Sequence, residues 1–101
     1  MIKEVNGLNE LKEVVNNNKK VVVDLWAPWC GPCKMLGPVV EKVSNEVSDT
    51  VFYKVNIDDN EDIAYAFNVE AIPTLLVFEN GALKDRSVGF VQENRIKELV
   101  K

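Results

Sequence analysis

A chain of 101 residues, 47% hydrophobic and 28% charged, has the profile of one soluble globular domain rather than a disordered, collagenous or multidomain protein. A formal charge of −4 with no run of five like charges argues against a nucleic-acid surface and a polybasic membrane patch, and the absence of histidine excludes imidazole-activated nucleophiles, Cys/His zinc sites and haem attachment. No apolar stretch is long enough to cross a bilayer and the first five residues hold no secretion-type apolar region, so a cytoplasmic location is expected.

Residues 2–5 read as a short strand. Over residues 8–17, Leu8, Leu11, Val14 and Val15 recur at helical spacing, and Asn16, Asn17 and Asn18 end the helix. Residues 21–26 are β-branched and almost continuously apolar, as a central strand covered on both faces would be. A second helix over about residues 33–47 gathers Leu36, Val39, Val40, Val43 and Val47 on one face. Pro38 inside it has no N–H for the carbonyl four residues back and is expected to kink the helix without ending it. Residues 51–57 alternate as a strand, and residues 61–67 form a short helix through Ile63, Ala66 and Phe67. Residues 74–78 are a buried strand, Asn80-Gly81 is the favoured two-residue hairpin signal, and residues 83–88 are a more polar strand. From Gln92 to the end, Ile96, Leu99 and Val100 return to helical spacing. The order β-α-β-α-β-α-β-β-α, without repeat or linker, predicts an α/β fold. Its central mixed sheet of five strands is flanked by four helices, with right-handed crossovers and an antiparallel hairpin at one edge, and residues 1–101 form one domain.

The only cysteines, Cys30 and Cys33, lie where the central strand hands over to the second helix. Two thiolates cannot complete a four-ligand metal site within one chain, and a pair this close closes almost no loop. Unpaired amides and the positive end of the dipole at the helix start favour a thiolate at Cys30 and lower its pKa. Cys33, one turn along, lies within reach of a small disulfide ring. Gly31 permits a tight approach, and Pro32 suits a first helical position. These features favour redox catalysis; a structural disulfide and half of a metal site shared by two chains stay open.

Trp29-Cys30-Gly31-Pro32-Cys33-Lys34, preceded by residues 23–27 and followed by Ile72-Pro73-Thr74, closely resembles the thioredoxin family. Element order, Pro38, Asn56-Ile57-Asp58, Asn80-Gly81 and Val88-Gly89 extend the resemblance over essentially the whole chain. It implies the thioredoxin fold and general protein-disulfide reductase activity. Cys30 would attack a target disulfide and Cys33 would resolve the mixed disulfide, the two cysteines forming the redox disulfide. Gly31 and Pro32 would set a reducing poise, since relatives that oxidise or isomerise disulfides usually carry a histidine in that gap.

A carboxylate within an apolar run is costly unless neutral or paired, so burial would raise the pKa of Asp24. The resemblance makes Asp24 the base that takes the proton of Cys33, with Lys54 modulating it. It also implies a cis bond before Pro73 and a shallow apolar groove of Trp29, Ile72, Pro73, Gly89 and Phe90 that holds an extended target segment. Trp26 is expected to fill the core and Trp29 the groove. The implied partners are disulfide-containing target proteins and a separate thioredoxin reductase that carries flavin and draws on NADPH. The chain has no dinucleotide or phosphate-binding signature of its own, so no cofactor, nucleic acid, metal or membrane partner is expected, and it is read as a monomer. A disulfide isomerase or oxidase, and a non-catalytic binding module using the same groove, are the competing readings. Pro28, Gly37 and Glu70-Ala71 depart from the family pattern at positions that bear on partner preference.

Overall fold

The computed structural model describes residues 2–101. In chain order it carries β1 (Lys3–Glu4), α1 (Leu8–Asn17), β2 (Lys20–Trp26), α2 (Gly31–Glu46), β3 (Val51–Asn56), α3 (Glu61–Ala66), β4 (Thr74–Glu79), β5 (Ala82–Val88) and α4 (Glu93–Leu99), the predicted order. The strands form one sheet in the order β1-β3-β2-β4-β5. β1, β3 and β2 run parallel, while β4 pairs antiparallel with both β2 and β5. β2 is thus the central strand.

Alternation along the strands sorts the core into two layers. Val21, Val23 and Leu25 of β2 join Leu76 and Phe78 of β4 in one layer, which receives Leu11 and Val15 of α1 and Ile63 of α3. Val22 joins Phe52, Leu75 and Val77 on the other face, under Leu36, Val40 and Val43 of α2 and Ile96 and Leu99 of α4. Each fully buried Leu, Val or Ile contributes about 1.5–3 kcal/mol of apolar transfer, so the two layers supply most of the drive to fold.

Helix ends decide how the chain reaches the sheet's carboxyl edge. α2 begins at Gly31, earlier than the apolar period suggested, because Pro32 suits the first turn and Cys30 occupies the N-cap. Pro38 lies inside α2, which continues through it to Glu46. α3 ends at Ala66 and is closed off by Asn68, whose φ of 53° is left-handed: Asn68 N–H donates to Tyr65 O at 3.1 Å and Val69 N–H to Ala64 O at 2.9 Å. That closure turns the chain toward Glu70 and Pro73. The first strand is shorter than expected, only Lys3 and Glu4, both exposed, because the chain turns inward at Val5 to bury it.

Candidate active site

Cys30 is delivered by a tight turn at the end of β2, in which its N–H donates to Ala27 O at 3.1 Å. Its φ of −91° and ψ of 110° place it at the N-cap of α2. From there its Sγ accepts the Cys33 N–H at 3.2 Å, while its carbonyl accepts the Lys34 N–H at 3.3 Å. Cys30 and Cys33 are joined as a disulfide, with Cα atoms 5.2 Å apart. The Cys30 sulfur therefore stands where a helix directs an unpaired amide, the position a thiolate would take after reduction. Gly31 and Pro32 are exposed beside the pair. Both cysteines are largely covered, 5% and 4% exposed, so a partner sulfur must approach along a narrow face. Ala27 buries with them, and Trp26, Ile57 and Ile72 pack against this small cluster.

The Ile72–Pro73 bond is cis. Pro73 is buried, and its carbonyl accepts the Gly89 N–H at 2.8 Å; Gly89 has a φ of 92°, open to glycine and strained for other residues. The Ile72 amide and carbonyl find no backbone partner among the described residues. Trp29, Ile57, Val69, Glu70, Ala71 and Ile72 line a cleft of about 310 Å³. Trp29 is 68% exposed, and its Nε1–H donates to both carboxylate oxygens of Asp58 at 3.2 Å. Of the expected groove residues, Trp29 and Ile72 line this cleft, Pro73 and Gly89 are tied together by their hydrogen bond, and Phe90 stands on the surface at 40% exposure. The anchoring of Trp29 by Asp58 was not read from the sequence; the only signal was the place of Asn56-Ile57-Asp58 in the resemblance.

Asp24 shares the strand face of Val22 and so points toward α2, where it is 4% exposed and its Oδ1 has no hydrogen-bond partner among the described residues. Burial raises its pKa from 3.8 to about 7, against a smaller lowering by Lys54. A second cleft, of about 170 Å³, brings together Asp24, Trp26, Cys33, Lys34, Gly37 and Lys54. Lys54 is the cross-strand neighbour of Asp24 in the parallel β2–β3 pair. Its ammonium lies 5.6 Å over the Trp26 ring and 4.0 Å from Glu4 Oε1. Trp26 accordingly roofs this cleft, half-buried, rather than filling the core. The arrangement can hold a sulfur anion at Cys30 and offers a proton acceptor in the cleft that Cys33 lines.

Residues 2–101 match the family model described as Thioredoxin. A thioredoxin of Mycoplasma genitalium is 46% identical over 99 residues, covering 98% of this chain and 97% of the relative. Among solved structures, a mutant thioredoxin from Halobacterium salinarum superposes with a TM-score of 0.92 at 38% identity, covering 98% of this chain and 87% of that one. The oxidised form of mitochondrial thioredoxin 3 from Saccharomyces cerevisiae superposes with a TM-score of 0.92 at 31% identity, covering 98% and 92%.

Proposed function

The chain belongs to the thioredoxin family and is a protein-disulfide reductase working through its Cys30/Cys33 pair, and from that premise we propose how its residues share the work. Disulfide-containing proteins are its targets and a reductase partner returns its electrons. Cys30 attacks as the thiolate: it bonds one target sulfur, and the other leaves as a thiolate. Cys33 then passes its proton to Asp24 and attacks Cys30 Sγ. The second target sulfur leaves, so two electrons have moved to the target and the Cys30–Cys33 disulfide has formed. The observation carrying this assignment is the Cys33 N–H donated to Cys30 Sγ at 3.2 Å, since only Cys30 stands at the helix N-cap.

A carboxyl with a pKa near 7 suits a base that must be empty when Cys33 ionises. Lys54, beside it in register, keeps that value from rising further. Gly31 and Pro32 set the reducing poise of the pair. Trp29, Ile72, Pro73, Gly89 and Phe90 hold an extended target segment, which pairs with the free backbone groups of Ile72. Residues 1–101 act as one thioredoxin domain, a monomer in the cytoplasm, recharged by a flavin-dependent, NADPH-consuming thioredoxin reductase. Among the described residues no helix is long and apolar enough to cross a membrane.

Insulin-disulfide reduction with dithiothreitol as electron source tests the assignment. Cys30→Ser and Cys33→Ser should both lose turnover, while only Cys33→Ser should retain target proteins as mixed disulfides. Adducts recovered on Cys33 of the Cys30→Ser variant, or on neither variant, would reverse or remove the proposed roles.

A further inference from the structure

Charge is unevenly spread along the chain, and two of the acids concerned, Asp58 on Trp29 and Glu70 on the cleft lining, stand at the site. Residues 58–70 contain Asp58, Asp59, Glu61, Asp62 and Glu70 and no lysine or arginine, whereas the rest of the chain is close to neutral. All five acids are exposed. The surface ion pairs, from Lys20–Asp49 to Lys97–Glu46, lie elsewhere, so no base among the described residues pairs with any of the five. Asp58 and Asp62 have internal duties: Asp58 holds Trp29, and Asp62 accepts the Leu8 and Ile63 amides at 3.0 and 2.9 Å. Asp59, Glu61 and Glu70 have no side-chain partner among the described residues. Arg86 shares a neighbouring cleft of about 330 Å³ with Glu70, but it donates to Phe67 O at 2.6 Å and Asn68 O at 3.3 Å.

Glu70 lines the Trp29 cleft, and two of that cleft's residues, Ile57 and Ile72, pack against the cysteines. A segment lying over the cleft thus reaches the sulfurs along one continuous surface. On the other side, the cleft of Cys33 carries Lys34 and Lys54. That cleft also holds Asp24, and Lys54 lies 4.0 Å from Glu4, so the disulfide stands between an anionic flank and one that carries both signs.

We propose that the acidic flank of residues 58–70 selects, among disulfide-bearing targets, those whose segment over the Trp29–Ile72 cleft carries lysine or arginine beside the cystine. This rests on the reductase reading above and specifies its substrate class. The cleft's apolar residues supply contact without charge preference; that comes from Glu70 on its lining and the other carboxylates of residues 58–70, which pair with no base among the described residues. Exposed charges act over roughly a Debye length, about 8–10 Å at physiological salt, so they chiefly raise the encounter rate and are weakened by added salt.

The test uses three disulfide peptides of identical length, with flanks of lysine, glutamate or serine, reduced by the dithiothreitol-charged full chain. At low ionic strength the lysine peptide should react about tenfold faster than the glutamate peptide, with the ratio falling toward one in 0.5 M sodium chloride. The triple variant Asp59→Asn, Glu61→Gln, Glu70→Gln should compress that ratio from both ends, slowing the lysine peptide and speeding the glutamate peptide. A structural defect would instead slow all three together. Equal rates for the charged peptides with the parent chain, or a preference unchanged in the triple variant, overturns the proposal while leaving the reductase reading intact. Failure to reduce any peptide overturns both.

Discussion

A carboxyl that is 4% exposed, with one oxygen lacking a hydrogen-bond partner among the described residues, is an expense the fold carries at Asp24. Its folded pKa of about 7 lies above the 3.8 of a solvated aspartate, so the native chain keeps a proton that the unfolded chain has released between those values. Stability from the neutral acid is therefore complete below about pH 4 and is lost as the pH rises through 7. At about 1.4 kcal/mol per pH unit the loss across that window is of order 4 kcal/mol. Asp24→Asn stays neutral throughout, so urea denaturation at pH 8 should find it more stable than the parent by about 2–4 kcal/mol, with the gap closing toward pH 4. Identical midpoints at pH 8 would mean that water reaches the carboxylate freely. Asp24 was legible in the sequence as a charge inside an apolar run, and period two along β2 turns it toward α2. The Trp29–Asp58 bond was not legible, because it joins side chains 29 positions apart whose approach depends on where β3 ends.

Elements were easiest to read where local chemistry and burial agree. The β4–β5 turn is one such case: Asn80 and Gly81 have φ values of 54° and 83°, the left-handed pair that a two-residue hairpin requires. A Cβ at Gly81 would meet Asn16 Oδ1 at 3.5 Å, ordinary contact, so the cost of a side chain there is backbone strain. Gly81→Val should lower stability by about 1–3 kcal/mol in chemical denaturation. Insulin reduction should continue at the parent rate, since this turn lies at the end of β4 away from Thr74 and Pro73. Loss of activity with stability intact would show that the hairpin reaches the site. Element ends were less legible. The start of α2 depends on a sulfur N-cap that apolar spacing does not report, and the stop of α3 depends on Asn68 accepting a left-handed conformation.

For the whole molecule, the two apolar layers rather than the sulfur bridge hold the chain together. The bridge spans a sequence separation of only 3, for which chain entropy accounts for about 2 kcal/mol. A domain of this size has a total stability of about 5–15 kcal/mol. Guanidinium unfolding with dithiothreitol should therefore still give one cooperative transition, lowered by about 2 kcal/mol. A reduced chain already unfolded without denaturant would show that the layers alone are insufficient. The α/β order and the antiparallel hairpin were legible because period two and period 3.6 alternate cleanly along the chain. The clefts followed only from the resemblance, since each joins segments far apart in sequence: the loops of Trp29, Ile57 and Ile72 in one, and β2, α2 and β3 in the other.

The outermost strand carries one more consequence. β5 is mostly exposed, bears Lys84, Asp85 and Arg86 in succession, and its register with β4 shifts between Val77 and Phe78. A charged, irregular border discourages other chains from zipping onto it. A reductase of protein disulfides meets other chains as its work, and such a rim keeps those encounters from growing into strand-to-strand assemblies.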